Sequence, residues 1–217
     1  MVLRLIGLQG RPLRAAHALD LVPLPPDSPY GNLSLKGLHI VNRLVRTNRR
    51  LDDVETTWRA LNGPFDPTAA AEGMHHRFCV DEVVVHLRRT VDELIALLWV
   101  LQERADKGSW PRRVLVDSIG TAQAKGGGRL LKLLRSHDRF LLTLNDIANA
   151  HKHSFIDSDF QAVGLREPCV VALALKQNKL ESDPTPYIVV LDSMIAAFNA
   201  FYMDAMKELR AVLGARQ

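Results

Sequence analysis

Residues 80 to 101 read "VDEVVVHLRRTVDELIALLWVL", and their apolar pattern predicts the centre of the fold. The apolar residues recur every three or four positions, as on one side of an α-helix. They are Val80, Val83, Val84, Leu87, Val91, Leu94, Ile95, Leu98 and Leu101. The longest unbroken apolar run, "LIALLWVL" at 94–101, is far shorter than the roughly 20 residues that span a bilayer. The stretch therefore predicts a buried helix of a globular protein, extending over about 72–106, and no association with a membrane.

The same helical period appears in three other segments. Apolar residues at this spacing predict helices over 34–61, 129–154 and 192–213. Between the last two, "CVVALALK" (169–176) and "PYIVVL" (186–191) are short and rich in β-branched residues, which is typical of a β-hairpin over about 169–191. We therefore expect a mainly α fold: a helical bundle of four to five helices with a small β-hairpin before the C-terminal helix.

The N-terminal part of the chain differs from this body. "LVPLPPDSPYGN" at 21–32 is rich in proline and turn residues, so we expect an arm and connection over 1–33 and a single bundle domain over 34–217. Arginines interrupt the apolar residues near the start, which argues against a secretory leader and favours a cytoplasmic address. The cysteines, Cys79 and Cys169, have no C-x-x-C partner, so we expect reduced, buried thiols.

Charge is unevenly distributed along the 217 residues. Residues 1–50 carry 8 Lys/Arg against 2 Asp/Glu, 51–106 carry 5 against 11, and 107–139 carry 8 against 2. Such segregation has two readings: an anion-binding face, or basic and acidic segments that neutralise each other within a bundle or a dimer. The short stripe of Arg43, Arg46 and Arg50 belongs to the first basic zone.

The polar run "LNDIANAHKHSF" at 144–155 is the first candidate site. On a helical wheel His151 falls on the apolar side, with Asn145 and Asn149 along its edge. Buried amides and imidazoles need hydrogen-bond partners. These three residues are therefore either buried connectors to a neighbouring helix or the hairpin, or part of a functional site.

This late helix, ending in "LNDIANAHKHS", resembles the HEPN superfamily, whose helical bundles carry an Arg, a polar neighbour and a His four to six residues later. The resemblance implies a dimer that cuts RNA without a metal ion. His151 and the polar Asn145 and Asn149 match the pattern. The Arg positions before His151 hold Leu144, Asn145 and Asp146, so the guanidinium that would balance phosphate charge is missing.

A basic helix face is the second candidate site. Arg129, Lys132, Arg135 and Arg139 are spaced to lie opposite the leucines, and "KGGG" at 125–128 precedes them at a helix start, where free backbone amides attract anions. Lys125 and Lys152 complete this set. The face is either solvated or binds RNA or a nucleotide. Interleaved aromatic residues, which would favour single-stranded binding, are absent.

A third set, His75, Glu82, His86 and Glu93, falls on one face of the second helix. Glu and His four residues apart can share a metal ion, but the paired Glu-x-x-His of dimetal bundles is missing, so ordinary ion pairs are the alternative. The chain also lacks G-x-S-x-G and Walker A sequences, and we expect no cofactor.

These patterns favour a non-catalytic binding or interaction protein that binds RNA or another anion through the basic face and forms homo-oligomers or engages a protein partner. The alternative is a HEPN-like, metal-independent endoribonuclease of the toxin or defence type that uses His151.

Overall fold

The fold is a helical bundle with a β-hairpin, as seen in a computed structural model that describes residues 3–8, 11–14, 22–62, 69–153, 165–175 and 183–214. A short N-terminal hairpin comes first, and six helices and a second hairpin follow within these residues. In chain order the elements are β1 (Gly7–Leu8), β2 (Arg11–Pro12), α1 (Leu33–Leu61), α2 (Ala69–Lys107), α3 (Ile119–Lys125), α4 (Gly128–Ser136), α5 (Asp138–His153), β3 (Cys169–Ala174), β4 (Thr185–Val190) and α6 (Leu191–Gly214). The predicted fold class, mainly α with a hairpin before the last helix, is confirmed.

Helix α2 is the centre of the bundle. It packs against α1, α5 and α6, and Val83, Val84, Leu87 and Val91 on its apolar side have no exposed surface. Burying large aliphatic side chains contributes on the order of 1.5 to 3 kcal/mol each. The apolar spacing of residues 80–101 therefore correctly predicts which side of α2 is in the core. The polar residues of α2 face the neighbouring helices.

The predicted helix over 129–154 is divided into two helices, because the helical conformation is interrupted at His137. Its φ and ψ of −124° and 19° are not helical, and its backbone N–H bonds to the carbonyl of Leu134. The His137 ring turns to α6, where Nε2 lies 2.9 Å from a carboxylate oxygen of Asp204 and the ring packs edge-on against Phe201. The segment between α2 and α4, where the sequence predicts no helix, also contains one, α3, whose N-terminus is closed by a capping box between Ser118 and Thr121.

Strands β3 and β4 pair antiparallel, with Val170 opposite Val189 and Val171 opposite Ile188. Val170 is fully buried, whereas Ile188 is exposed. One face of the hairpin therefore packs on the helices, chiefly on α5. Residues 176–182 of the predicted hairpin lie outside the described residues.

The described residues of the N-terminal arm are joined to the bundle by two asparagine side chains. Asn48 on α1 accepts from the backbone N–H of Ile6 (2.8 Å) and donates to its carbonyl (3.0 Å). Asn199 on α6 likewise accepts from Gly7 (3.2 Å) and donates to Leu5 (3.1 Å). The side chain of Ile6 is fully buried, so this part of the arm belongs to the same hydrophobic core as the helices.

Cys79 and Cys169 are free and buried, as the sequence predicts. Within the described part of the chain, none of the helices has an apolar stretch of the length and hydropathy needed to span a bilayer.

Candidate functional site

The side chain of His151, the centre of the first candidate site, is 9% exposed. Its Nε2 lies 3.2 Å from the carbonyl oxygen of Val171 on β3, and its Nδ1 lies 3.4 Å from Oδ1 of Asp81 on α2, without a hydrogen bond. A carbonyl only accepts, so Nε2 carries the proton of that bond. The neutral ring then has a bare nitrogen toward Asp81.

Asp81 is the group that faces that nitrogen. Burial raises the pKa of this carboxyl, against the opposing effect of His151 and Arg77. Nδ1 is buried against the carboxyl and makes no hydrogen bond with it. Because Nε2 is bonded to the Val171 carbonyl and Nδ1 is buried against Asp81, neither ring nitrogen of His151 can reach a substrate in this arrangement.

Asn145 lies beside an arginine that sequence spacing did not reveal. Nη2 of Arg88 on α2 donates to Oδ1 of Asn145 (2.9 Å), and Nη1 contacts the carboxylate of Asp92. The Arg88 side chain is 16% exposed, and burial lowers the pKa of its guanidinium. Asp92 in turn accepts from the backbone N–H of Ile119 at the start of α3 (2.9 Å).

These contacts form a polar seam between α2 and α5, which we define as Asp81, Arg88, Asp92, Asn145 and His151. Tyr187 on β4 extends it to the hairpin, because its hydroxyl donates to Oδ2 of Asp146 (2.8 Å). Asn145 and His151 are therefore connectors, as one reading of the sequence predicts. The same prediction was wrong for Asn149, which is exposed and has no hydrogen bond to the residues described. The buried residues Leu141, Leu144, Ile147 and Ala148 define the core side of α5, and Asn149 lies more than about a quarter turn away from it, on the solvent side.

The second candidate site, the basic helix face, is divided between two helices. Arg129, Lys132 and Arg135 are exposed on α4, and Arg139 is exposed on α5 beyond the break. Arg129 pairs with Glu208 on α6 at 3.2 Å. Lys132, Arg135 and Arg139 have no ion-pair partner among the described residues. These three define what we call the free basic edge.

The other predicted members of that face lie apart from it. Lys125 is the last residue of α3, and Lys152 lies 13 residues beyond Arg139, about 20 Å along α5. The glycines after Lys125 serve packing: Gln102 donates to the carbonyl of Gly127 (3.3 Å) and accepts from the backbone of Leu130 (3.3 Å). The backbone amide of Leu130 is thus already satisfied.

The free basic edge borders an open groove of about 660 Å³ at the junction of α4 and α5. Arg135, Arg139 and Phe140 line it on one side, and residues of β4 and α6 line it on the other. Sequence analysis missed Phe140 and His137 here, because neither stands in a repeated basic–aromatic pattern. The only signal was their position in the sequence: His137 lies between Arg135 and Arg139, and Phe140 directly follows Arg139.

Three of the four predicted metal candidates face α1, and all four have other contacts. Glu82 pairs with Arg50 (2.6 Å) and Arg46 (3.3 Å), and Glu93 pairs with Arg43 (2.8 Å). Nδ1 of His86 lies 3.2 Å from the hydroxyl of Thr47, and His75 is exposed, 3.9 Å from the sulfur of Cys79. Burial lowers the pKa of His86. No group of three metal-binding side chains converges among the residues the structure describes.

These contacts also account for one part of the charge segregation. The basic stripe Arg43, Arg46 and Arg50 on α1 pairs with the acidic side of α2, so mutual neutralisation is the correct reading for this stripe. No protein-family model, curated protein or solved structure matches the chain.

Proposed function

We propose that this protein is a non-catalytic binding protein, and that its free basic edge binds RNA. The observation that carries the proposal is the contrast between the basic regions. Arg43, Arg46 and Arg50 have acidic partners, whereas Lys132, Arg135 and Arg139 are exposed, lie beside a groove and have no such partner in the described part of the chain. Unneutralised cations along one edge attract a chain of phosphates. A cytoplasmic address and a homodimer are part of the same proposal.

The direct test reverses two charges without touching the core. Lys132→Glu/Arg135→Glu is expected to weaken binding of a fluorescently labelled RNA containing both stem and loop, measured by anisotropy at several salt concentrations. Each lost phosphate contact should flatten the slope of log affinity against log salt by about 0.7 to 0.9.

The matched control is Arg112→Glu/Arg113→Glu, which makes the same change in net charge at exposed residues of the loop between α2 and α3. Its affinity should stay within about twofold of the original protein, since those residues do not line the groove. Equal weakening by both variants, or no RNA binding at low salt, would refute the proposal.

A HEPN-like ribonuclease is the second candidate, and Arg88 is the observation that favours it. This guanidinium lies on α2 against Asn145, a position in the sequence pattern where the family has its Arg. His151, however, is six residues further along α5, about 9 Å in helical rise, and both of its ring nitrogens face protein groups. The contacts of His151 therefore favour the non-catalytic proposal.

We expect no RNA cleavage by the purified protein in the presence of a metal chelator. The assay incubates labelled RNA with the protein and with His151→Ala and separates the products on a denaturing gel. One result would reverse the order of the two candidates: RNA cleavage that persists in the chelator and is lost in His151→Ala, with unchanged RNA affinity. An acid–base group stabilises the transition state and not the bound ground state, so its removal would abolish cleavage and leave binding intact.

A further inference from the structure

The groove beside the free basic edge combines a charged rim with an apolar floor. Arg135, Asp138 and Arg139 on the rim are exposed, and together they leave a net positive charge. Phe140, Val189 and Met194 line the interior, contributed by α5, β4 and α6. A ligand that fits both parts has an anionic group joined to an apolar or aromatic one.

Phe140 is held at this position by other aromatic rings. Its centroid lies 6.4 Å from Phe198 at an interplanar angle of 72° and 6.2 Å from Phe201 at 43°. Both partner rings are fully buried, whereas Phe140 itself is half-buried. A fixed, partly accessible aromatic ring is a surface on which a flat ligand can stack at little cost in side-chain entropy.

The size of the groove and the row of charges favour a polymer segment over a single small anion. About 660 Å³ is within the range of sites that hold one small organic group. Lys132 lies one helical turn before Arg135, on the same exposed side of α4 and outside the groove. Cations thus continue past the groove, as expected for a ligand with successive phosphates and one inserted base.

We propose that the groove binds an unpaired base of single-stranded RNA, with the base on Phe140 and the flanking phosphates at Arg135, Arg139 and Lys132. This inference rests on the proposed RNA-binding function and adds its substrate class. In a duplex the bases are paired and stacked, so none can enter the groove without unpairing. Base–aromatic stacking accepts every base, so the expected preference is for strand state and not for sequence.

The experiment compares one labelled RNA oligonucleotide, unstructured and unpaired, with the same strand annealed to its complement. The full chain should bind the single strand at least about fivefold more tightly, the lower end of the effect of one base–aromatic stack. Phe140→Leu should remove that preference and leave the duplex affinity unchanged, whereas Phe140→Tyr should retain it. A thermal melt of each variant checks that the bundle is folded.

An oligonucleotide with abasic sites tests the same inference without altering the protein. It keeps the phosphates and lacks the bases, so the full chain should bind it no more tightly than the duplex. The opposite result is that the single strand, the abasic strand and the duplex bind with equal affinity, and that Lys132→Glu/Arg135→Glu weakens all three. That result would overturn the base-binding groove and leave the RNA-binding proposal intact. Failure of every RNA to bind would overturn both.

Discussion

Arg43→Ala is expected to lower the free energy of unfolding by about 2 to 3 kcal/mol near neutral pH, because it leaves a partly buried carboxylate without its cation. Both guanidinium amino groups of Arg43 bind Glu93, at 2.8 and 3.0 Å, and the two side chains are 13% and 19% exposed. The pair joins α1 to α2 at the centre of the bundle. Its partial exposure places the expected loss below the 3 to 5 kcal/mol typical of breaking a fully buried pair.

The contribution of Glu93 to the pH dependence of stability should change sign in this variant. In the original protein burial acts to raise the pKa of Glu93, but the hydrogen bonds and charge of Arg43 outweigh it and the pKa is lowered. A lowered folded-state pKa contributes stability that is present above the unfolded value of about 4.3 and is lost as the pH falls through the folded value. Without Arg43, burial outweighs the remaining charges of Lys36 and Arg89 and raises the pKa, so the contribution of Glu93 then falls as the pH rises from the unfolded value towards the new folded value.

Urea unfolding between about pH 3 and 7 measures both effects, and Arg89→Ala is the matched control. Arg89 pairs with the same Glu93 at 3.5 Å, but its side chain is 69% exposed. Its removal should change stability by less than about 0.5 kcal/mol. Equal losses in the two variants would mean that the Arg43 contact is no stronger than a surface ion pair.

The apolar period of α2 was sufficient to predict the centre of the fold, whereas its polar positions were ambiguous. A helix that packs against several neighbours has polar residues along each helix–helix contact as well as on its exposed side. Glu82, His86 and Glu93 face α1, while Asp81, Arg88 and Asp92 recur at intervals of seven and four and face α5 or the start of α3. A single sequence contains the spacing of these stripes but not the identity of the helix opposite, so Arg88 could not be paired with Asn145 in advance.

Two other features of the fold could not be predicted from the sequence, for different physical reasons. The break at His137 has no proline or glycine to signal it, because what favours the bend is a tertiary contact of the ring with Asp204 and Phe201. The N-terminal arm depends on Asn48 and Asn199, isolated polar residues whose amides bond to the backbone of residues 5–7. Contacts between a side chain and a distant backbone leave no periodic signal in the sequence. The groove is likewise formed by residues distant in sequence, since α4, α5, β4 and α6 all line it.

The contacts of Arg88 with Asp92 and Asn145 are expected to stabilise the folded protein. Arg88→Ala should lower the free energy of unfolding by about 3 kcal/mol, since Asp92 loses its cation and Oδ1 of Asn145 loses its donor inside the seam. Arg88→Lys should recover only part of this loss, because an ammonium group cannot match the planar fork that reaches both partners.

A double-mutant cycle separates this contact from general damage to α2. Arg88→Ala combined with Asn145→Ala should give a coupling energy of about 0.5 to 3 kcal/mol, the range for residues in direct contact. The control cycle pairs Arg88→Ala with Asn149→Ala, one turn along α5, where the asparagine is exposed and has no hydrogen bond to the described residues. Its coupling should be within about 0.3 to 0.5 kcal/mol of zero. Comparable coupling in both cycles would contradict the seam, whereas coupling confined to Asn145 would show that Arg88 stabilises the protein through Asn145 as well as through Asp92.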